Sequence, residues 1–431
     1  MNIREIASRV LRIFEKRKRI PEDEVRKALS RMDDRDRAFF KELVWGVVRE
    51  RRLLDWYIDR FLRRKEIPPA VRVLLRMGVY QILFMDSVPD YAAVNETVAL
   101  AENENFKRLI NAILRKVSSM EIEEPSELSL KYSHPEWLVN YWKSFLEEES
   151  VERILKWNMV PSPIVLRVNT LKITREELME ILREEGHEVS KTLHSPVGIW
   201  LKKLGKSLDD SRVLSEGLAT VQGESSQIVP FLMELDSDLT VLDVCSSPGG
   251  KTTHIAELMK NKGKILAFDI SLDKVEKVME NAKRLGIEII DTGVLPGEKL
   301  SEIVKEKFDR ILLDVPCTSL GTIRKNPDVM WRVRKSDFKK LAKLQYELLS
   351  SSWKLLKEGG ILIYSTCTVT LEENKRVVEK FLAEHDDVEV LNVSNEISEF
   401  GIDGIWDGYG FLMLPDETIT PFYVSKLRKM G

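Results

Sequence analysis

The chain has 431 residues, which is too long for one ordinary hydrophobic core, so its length predicts two or three domains. Its formal net charge of -3 neither favours nor excludes a nucleic-acid partner, and three cysteines do not make the disulfide framework of a secreted protein. No apolar run approaches the roughly 18 residues of a membrane span, and no signal peptide is visible. We therefore expect a reduced, cytoplasmic protein without a membrane partner.

The first 118 residues form a basic region with helical periodicity. Ile3, Ile6, Val10 and Phe14 recur at the spacing of one helix face, and no strand-like alternation interrupts the region. Lys and Arg outnumber Asp and Glu by about eight here, whereas the rest of the chain is acidic by about eleven. A basic helical domain suits a polyanionic partner, and a solvated charged surface is the alternative.

Three short stretches of this region resemble the RNA-binding NusB domain of transcription antitermination. They are residues 34–37 (DRDR), residues 91–98 (YAAVNETV) and residues 111–115 (NAILR). The resemblance implies an all-α bundle that binds RNA.

Clusters of basic residues in the same region are the candidates for phosphate contacts. They are residues 16–19 (KRKR), Arg49 with Arg51 and Arg52, and residues 63–65 (RRK). Each cluster taken singly is more often a hydrated helix face than a binding site.

The middle of the chain predicts a linker followed by a small α/β module. Residues 121–127 are acidic and contain Pro125, which is typical of a linker. Residues 164–169 (IVLRVN) predict a strand, and Thr174 with Glu177 forms a capping box that opens a helix. A second apolar piece, residues 199–201 (IWL), supplies another strand of this RRM-like module.

From about residue 220 the pattern alternates between strand and helix. Strands are predicted at 239–244, 264–269, 286–290, 309–314, 360–366, 386–391 and 420–426. Helices are predicted to begin near residues 225, 251, 271, 337 and 371. This alternation predicts a doubly wound, Rossmann-like α/β domain.

The turn after the first of these strands is a candidate nucleotide site. Residues 242–253 (LDVCSSPGGKTT) run from a buried strand through two adjacent glycines into a helix N-terminus. Glycines let the backbone approach a ligand closely, and the first N–H groups of a helix favour an anionic or carboxylate-bearing group.

Three classes of nucleotide site compete for this turn. A Walker A loop is disfavoured because Cys245 stands where its first glycine belongs, and the dinucleotide pattern G-x-G-x-x-G is absent. The remaining class is a methyltransferase turn for S-adenosylmethionine, which calls for an acidic residue after the next strand. Asp269 stands there, about 20 residues after the glycines, where a carboxylate can accept both ribose hydroxyls.

Two cysteines follow two later strands of the predicted sheet. The strand at 309–314 leads into Asp314, Val315, Pro316 and Cys317, and the strand at 360–366 leads into Cys367. Because ligands bind beyond the carboxyl ends of such strands, and these strands should be neighbours, both thiols should reach one rim. A single free cysteine is more often a small buried hydrophobe, but two at adjacent strand ends favour chemistry.

These motifs resemble the RsmB/Nop/Sun family of RNA 5-methylcytosine methyltransferases, and in particular its bacterial RsmB branch. The resemblance is carried by residues 243–252, by residues 314–317 (DVPC) and by residues 365–368 (STCT), together with the NusB-like region. It implies that Cys367 is the nucleophile that adds to carbon 6 of cytosine and makes carbon 5 able to accept a methyl group. It also implies that Cys317 helps to release the product and that Asp314 hydrogen-bonds the base near N3.

The resemblance also implies which residues contact S-adenosylmethionine, and it implies no metal. These are Cys245, Ser246, Ser247, Pro248, Gly249, Gly250, Lys251, Asp269, Asp291 and Asp314. Cys245 is expected to be a packing residue, Asp269 to hold the ribose, and Asp291, after the third strand, to lie by the adenine. Residues 324–328 with Trp331 and Arg332 are expected to line the RNA channel, with a helix-entry turn as the alternative.

The chain departs from the family pattern at two places. Ser246 and Ser247 replace an Ala-Ala pair, which should preserve the turn, and residues 420–422 (TPF) stand where Asp-Gly-Phe is usual. The second departure affects local substrate contacts more than the cysteine chemistry.

The sequence thus predicts a monomer of three parts. They are a NusB-like bundle over residues 1–120, a linker helix and small α/β module over 121–220, and a Rossmann-like methyltransferase domain over 221–431. The expected reaction is S-adenosylmethionine-dependent methylation of carbon 5 of a cytosine in 16S small-subunit ribosomal RNA, naked or partly assembled. The alternatives are the same chemistry on tRNA or large-subunit ribosomal RNA, and a ribosome-assembly factor that only binds RNA.

Overall fold

The computed structural model describes residues 2–62, 66–208 and 211–431. The chain divides into two compact units, Met1–Val160 with Ile323–Val333, and Pro161–Thr322 with Arg334–Gly431. The helices after the predicted linker therefore belong with the helical unit, whereas the sequence prediction grouped residues 121–220 together. Within the described residues, no helix is both long and apolar enough to cross a membrane.

The helical unit is built on a contiguous apolar core. Its helices are α1 (Ile3–Arg17), α2 (Glu22–Leu29), α3 (Asp34–Arg49), α4 (Arg51–Asp59), α5 (Pro69–Phe84), α6 (Asp90–Ala99), α7 (Glu104–Ser119), α8 (Leu128–Lys131), α9 (Glu136–Lys143) and α10 (Glu148–Met159). Asn2, Asp33 and Asn103 accept hydrogen bonds from the first turns of α1, α3 and α7, which fixes where these helices begin. Helix α5 is buried on most of its surface and forms the centre of the core.

Three arginines of the predicted basic clusters form contacts within the helical unit. Arg49 is buried and donates to the backbone oxygen of Arg324 at 3.2 Å, so its prediction as a phosphate contact is wrong. Arg51 pairs with Glu15 at 3.0 Å, and Arg52 lies 3.4 Å from Glu127. The cluster at residues 63–65 lies outside the described residues.

The segment Ile323–Val333 packs within the helical unit. The indole N–H of Trp331 donates to the carbonyl of Val48 at 2.8 Å, and the guanidinium of Arg324 lies 5.0 Å from the ring centroid of Trp157. These contacts give Arg324 and Trp331 a packing role within the helical unit, and their expected place in an RNA channel stays a prediction. Lys325 and Asn326 are exposed at the turn between them.

The second unit begins with a small antiparallel sheet. Its elements are β1 (Ile164–Val168), α11 (Arg175–Glu184), β2 (Glu188–Lys191), β3 (Gly198–Lys203), α12 (Arg212–Ser215) and β4 (Ala219–Val221). The strand order is β2-β3-β1-β4. The capping box of Thr174 and Glu177 is present, as predicted, and the apolar face of α11 packs on the sheet through Leu178 and Leu182.

A nine-stranded mixed sheet forms the rest of this unit. Its strands are β5 (Thr240–Asp243), β6 (Lys264–Asp269), β7 (Ile290–Val294), β8 (Phe308–Asp314), β9 (Leu356–Thr366), β10 (Val388–Leu391), β11 (Gly404–Trp406), β12 (Phe411–Met413) and β13 (Phe422–Lys429). The order is β11-β12-β13-β9-β8-β5-β6-β7, with β10 beside β13. Strands β5 to β9 are parallel to their neighbours among themselves, and the later strands pair antiparallel.

Helices connect these strands. They are α13 (Glu224–Ile228), α14 (Gly250–Leu258), α15 (Leu272–Leu285), α16 (Leu300–Ile303), α17 (Val329–Arg332), α18 (Lys335–Trp353), α19 (Lys375–Glu384) and α20 (Ser394–Glu399), of which α17 lies in the helical unit. The predicted α/β domain is confirmed, and β8 and β9 are neighbours in the sheet as expected.

The third parallel strand lies four residues later than predicted. Gly286 adopts a left-handed conformation, with φ of 76°, and ends α15, so residues 287–289 are needed to return the chain to the sheet. Strand β7 therefore spans Ile290–Val294, and Asp291 pairs in register with Leu266 inside it. The predicted position of Asp291 after the strand is wrong, because Val294 occupies the carboxyl end beside Asp269.

Candidate active site

The turn between β5 and α14 owes its shape to Gly249. This glycine has φ of 97° and a Cβ placed on it would lie 3.1 Å from the Cα of Val278. An L side chain there would meet both a strained backbone and a neighbouring helix. The turn can therefore bring its backbone close to a ligand, and α14 begins at Gly250 directly behind it.

Hydrogen bonds to neighbouring segments hold the turn in place. The hydroxyl of Ser246 donates to the carbonyl of Phe268 at 3.0 Å, and the carbonyl of Pro248 accepts from Asn281 at 2.8 Å. Burial raises the pKa of the Cys245 thiol far above its ordinary value. A thiol that stays protonated suits the packing role that the sequence predicted for Cys245.

A buried arginine that was not predicted from the sequence forms hydrogen bonds with helix α14. Arg167, in β1, has no exposed side-chain surface, and it donates to Glu257 at 2.8 Å and to Thr253 at 3.0 Å. It also donates to the carbonyl of Gly250 in the first turn of the helix. The pattern of a single charge inside the apolar strand sequence IVLRV was the available signal, since a buried charge requires partners.

Asp269 ends β6 beside the turn, where it was predicted. Its carboxylate accepts the backbone N–H of Ser247 at 3.0 Å and the ammonium of Lys274 at 2.9 Å. Two apolar side chains, Ile270 and Leu272, follow it and are largely exposed. The edge thus offers a carboxylate next to an apolar surface, which suits a ribose joined to a flat aromatic base.

The two predicted thiols meet at the carboxyl ends of β8 and β9. The Sγ atoms of Cys317 and Cys367 are 3.3 Å apart. The hydrogen bond from Cys317 lowers the pKa of the Cys367 thiol, and the same interaction raises the pKa of Cys317. The geometry therefore makes Cys367 the thiol that ionises more readily, and thiolates are the reactive form of cysteine.

Asp314, at the end of β8, contacts both the end of β9 and the helix that follows the β5–α14 turn. One carboxylate oxygen accepts the hydroxyl of Ser365 at 2.8 Å, and the other lies 2.5 Å from the ammonium of Lys251. The same ammonium lies 5.1 Å from the ring centroid of Phe422. Phe422 belongs to the segment 420–422 that departs from the family pattern, so this departure places an aromatic ring beside Lys251.

A buried carboxylate, Glu373, lies close to the cysteines and was also missed. It accepts the backbone N–H of Thr318 at 2.8 Å and the amide of Gln345 at 3.1 Å. The sequence signal was weak, because a glutamate shortly before a helix usually stabilises the helix N-terminus.

The sheet edge thus gathers the groups that nucleophilic chemistry on a ligand requires. A polarised pair of thiols, a carboxylate and a lysine lie beside a turn whose backbone can approach a nucleotide. Asp291 is the one predicted site residue that the sheet register keeps away from the edge.

Family models match three consecutive parts of the chain. Residues 1–119 match the NusB family, residues 134–206 match the ferredoxin-like domain of RsmF/B-like methyltransferases, and residues 230–428 match the 16S rRNA methyltransferase RsmB/F family. The first and third matches agree with the sequence resemblances described above.

Similar proteins cover nearly the whole chain. A probable ribosomal RNA small subunit methyltransferase B of Bacillus subtilis is 35% identical over 93% of this chain and 92% of its own. The crystal structure of PH0851 has a TM-score of 0.80 at 30% identity and covers 99% of this chain and 98% of that one. NSun6 from Pyrococcus horikoshii, solved with SFG, has a TM-score of 0.61 at 25% identity and covers 69% and 98%.

Proposed function

Because this chain belongs to the 16S rRNA methyltransferase RsmB/F family, we propose that it methylates carbon 5 of a cytosine in 16S small-subunit ribosomal RNA. Its cofactor is that of the family, S-adenosylmethionine. The observation that carries the proposal is the 3.3 Å approach of Cys317 and Cys367 at the rim of the sheet beside Asp314. RNA binding alone needs no such pair of thiols.

The turn between β5 and α14 and the carboxyl end of β6 are suited to hold the cofactor. Gly249 and Gly250 let the backbone of the turn come close to the cofactor, and Asp269 offers a carboxylate to its ribose. Lys251, which directly follows these glycines, forms an ion pair with Asp314. S-adenosylmethionine supplies an electrophilic methyl group when it is bound. The protein's part is to orient the target carbon toward that methyl and to make the carbon nucleophilic.

Cys367 performs the activation. Its thiolate adds to carbon 6 of the cytosine, and the electrons that are displaced make carbon 5 an enamine-like nucleophile. The lowered pKa of Cys367, which the hydrogen bond from Cys317 causes, supplies the thiolate. Asp314, held by Lys251 and Ser365, hydrogen-bonds the base near N3 as charge develops there.

Cys317 then acts on the methylated adduct. Once Cys367 is bonded to carbon 6 it is no longer a thiolate, so the largest of the effects that raise the pKa of Cys317 is lost, while burial and the charge of Glu373 remain. Cys317 can then give its proton to solvent and accept the proton from carbon 5. The electrons of the broken C–H bond restore the double bond of the ring and expel Cys367, which completes the product.

The target cytosine has to be accessible for this reaction. Duplex RNA hides the faces of its bases, so the cytosine lies in a loop or is flipped out of a helix. The helical unit, which matches the NusB family, supplies the RNA-binding surface in this proposal.

A test of the reaction uses the Cys317→Ala variant, unmodified 16S ribosomal RNA and S-adenosylmethionine on a denaturing gel. If Cys317 is needed for release, the variant accumulates a covalent protein–RNA band, and the Cys367→Ala variant forms none. The parent protein, which completes the cycle, shows product by mass spectrometry and no lasting band.

Two controls separate the substrate from the mechanism. Large-subunit ribosomal RNA and tRNA are tested in parallel, and stronger labelling of either would reassign the substrate. An active parent whose two cysteine variants both fail to form a band would contradict the cysteine roles, and a parent without activity on any of the three RNAs would contradict the proposal itself.

A further inference from the structure

Glu373 is a fully buried carboxylate that holds the loop carrying Cys317. Its Oε2 atom accepts the backbone N–H of Thr318, the residue after Cys317, at 2.8 Å. Its Oε1 atom accepts the hydroxyl of the same Thr318 and that of Thr370, the latter at 3.1 Å. One side chain therefore makes three hydrogen bonds. Two go to Thr318, the residue after Cys317, and one goes to Thr370, in the loop after Cys367.

Gln345, in α18, contacts both Glu373 and the residue before Cys317. Its amide nitrogen donates to the carbonyl of Pro316 at 2.9 Å and to Oε2 of Glu373 at 3.1 Å. The residues before and after Cys317 are thus both tied to Glu373, one directly and one through Gln345. A loop that is held at both neighbours of a residue has little freedom to move that residue's side chain.

The same cluster contacts the loop that carries Cys367. The hydroxyls of Thr318 and Thr368 are 2.8 Å apart, and Thr370 lies two residues farther along the loop. The backbone N–H of Leu320 donates to the hydroxyl of Thr368 at 3.3 Å. Glu373 and its partners therefore form a bridge between the two cysteine loops, behind the thiols.

We propose that Glu373 is a positioning residue that, with Gln345, fixes the Sγ atom of Cys317 against that of Cys367. The inference rests on the proposed function, since it concerns the thiol that releases the product. Glu373 does not touch the substrate in this proposal. Its role is to keep Cys317 within reach of the proton on carbon 5 after the methyl has been transferred.

The first test measures the thiol pair without RNA or cofactor. Diamide takes one hydrogen from each of two neighbouring thiols and leaves a disulfide, so the rate of Cys317–Cys367 closure reports their relative position. Glu373→Met removes every acceptor at this position, and closure should slow about tenfold or more, as is usual when reacting groups are misplaced by about 1 Å. Mass spectrometry of the linked peptides identifies the disulfide.

Two further variants separate positioning from a general loss of structure. Glu373→Gln keeps an oxygen that can accept the N–H of Thr318 and the amide of Gln345, so it should restore closure to near the parent rate. Glu372→Gln is the matched control, because Glu372 is the neighbouring residue and pairs with Arg376 at 3.1 Å. If Glu373→Met does not fold, Gln345→Met gives the same test, since it removes the bond to Pro316.

The second test measures turnover on 16S ribosomal RNA. Glu373→Met should still form the adduct through Cys367 and should accumulate it, as Cys317→Ala does, with an unchanged affinity for S-adenosylmethionine. Parent-like closure and parent-like turnover in both Glu373→Met and Gln345→Met would overturn the inference. A parent without activity would overturn the proposed function instead, while slow closure in the variants would still assign the positioning role to Glu373.

Discussion

Two buried clusters, one in each compact unit, satisfy their carboxylates in different ways. In the helical unit, Arg76 donates to Asp55 at 2.7 Å and to Glu15, and Glu15 also pairs with Arg51. In the second unit, Glu373 accepts from a peptide N–H, an amide and two hydroxyls, all of which are neutral. The first cluster joins three helices, α1, α4 and α5, through ion pairs, and the second joins the two cysteine loops through hydrogen bonds to neutral groups.

The two clusters also respond to pH with opposite sign. Burial raises the pKa of Glu15, but the hydrogen bond and charge of Arg51 and the charge of Arg76 outweigh it and hold that pKa well below its ordinary 4.5. Burial raises the pKa of Glu373, and hydrogen bonds from neutral groups only partly oppose the shift. Ionised Glu15 therefore stabilises the fold, whereas ionised Glu373 costs stability and is kept for its geometry.

The largest expected effect comes from removing the shared cation of the helical cluster. Arg76→Met leaves Glu15 and Asp55 without their common partner, and breaking a mostly buried ion pair should cost about 3 kcal/mol of the free energy of unfolding. Hydrogen exchange of the amides of α5 measures this loss locally, which is needed because a chain of two units need not unfold in one step.

A matched control and a pH series sharpen this result. Arg9→Met removes an exposed arginine that lies 4.0 Å from Glu5, and it should change stability by less than about 0.5 kcal/mol. The contribution of Glu15 is fully present above pH 4.5 and is lost as the pH falls below that value, so the parent should lose more stability than Arg76→Met over that interval. Equal acid sensitivity of the two proteins would contradict the role given to Arg76.

Whether a residue could be predicted from the sequence depends on how far its partners lie from it in the chain. The turn, both cysteines, Asp269 and Asp314 stand in short motifs at strand ends, where chemistry and chain position coincide. The fold class follows from alternating strands and helices, and the structure confirms it. These features depend on residues that are near one another in the chain.

The residues that were missed depend on contacts between distant segments. Gln345 and Glu373 approach the Cys317 loop from two other segments, and no local pattern joins the three. Arg167 reaches α14 from a separate small sheet, although its charge in an apolar strand was a usable signal. Asp291 was misplaced because the helix before it ends at Gly286, which moved the strand by four residues.

A smaller effect is expected when the neutral cluster loses one donor. Thr318→Val keeps the backbone N–H to Glu373 but removes the hydroxyl that bonds Glu373 and Thr368. A hydrogen bond to a charged group is worth about 1.5 to 3 kcal/mol, so the melting temperature should fall by a few degrees and adduct release should slow less than in Glu373→Met. Thermal unfolding and single-turnover assays measure the two effects.

Thr240→Val is the control for this substitution. Thr240 begins β5 at the amino end of the strand, away from the cysteines, and Val is well tolerated in a strand. If it slows release as much as Thr318→Val does, the effect of Thr318 does not arise from its place between the cysteine loops.

The smallest expected effect is a displacement of the pH profile of Cys367. The hydrogen bond from Cys317 lowers the pKa of the Cys367 thiol, so its loss in Cys317→Ala should move alkylation of Cys367 by iodoacetamide to higher pH. Cys317→Ser retains a hydroxyl donor at nearly the same place and should keep the midpoint closer to that of the parent. Coincident midpoints for the Ala and Ser variants would show that the charge of Lys251 and the hydroxyl of Ser319, which act in the same direction, are enough to hold the thiolate. In that case Cys317 would serve product release alone, and the short distance between the thiols would have no part in activating Cys367.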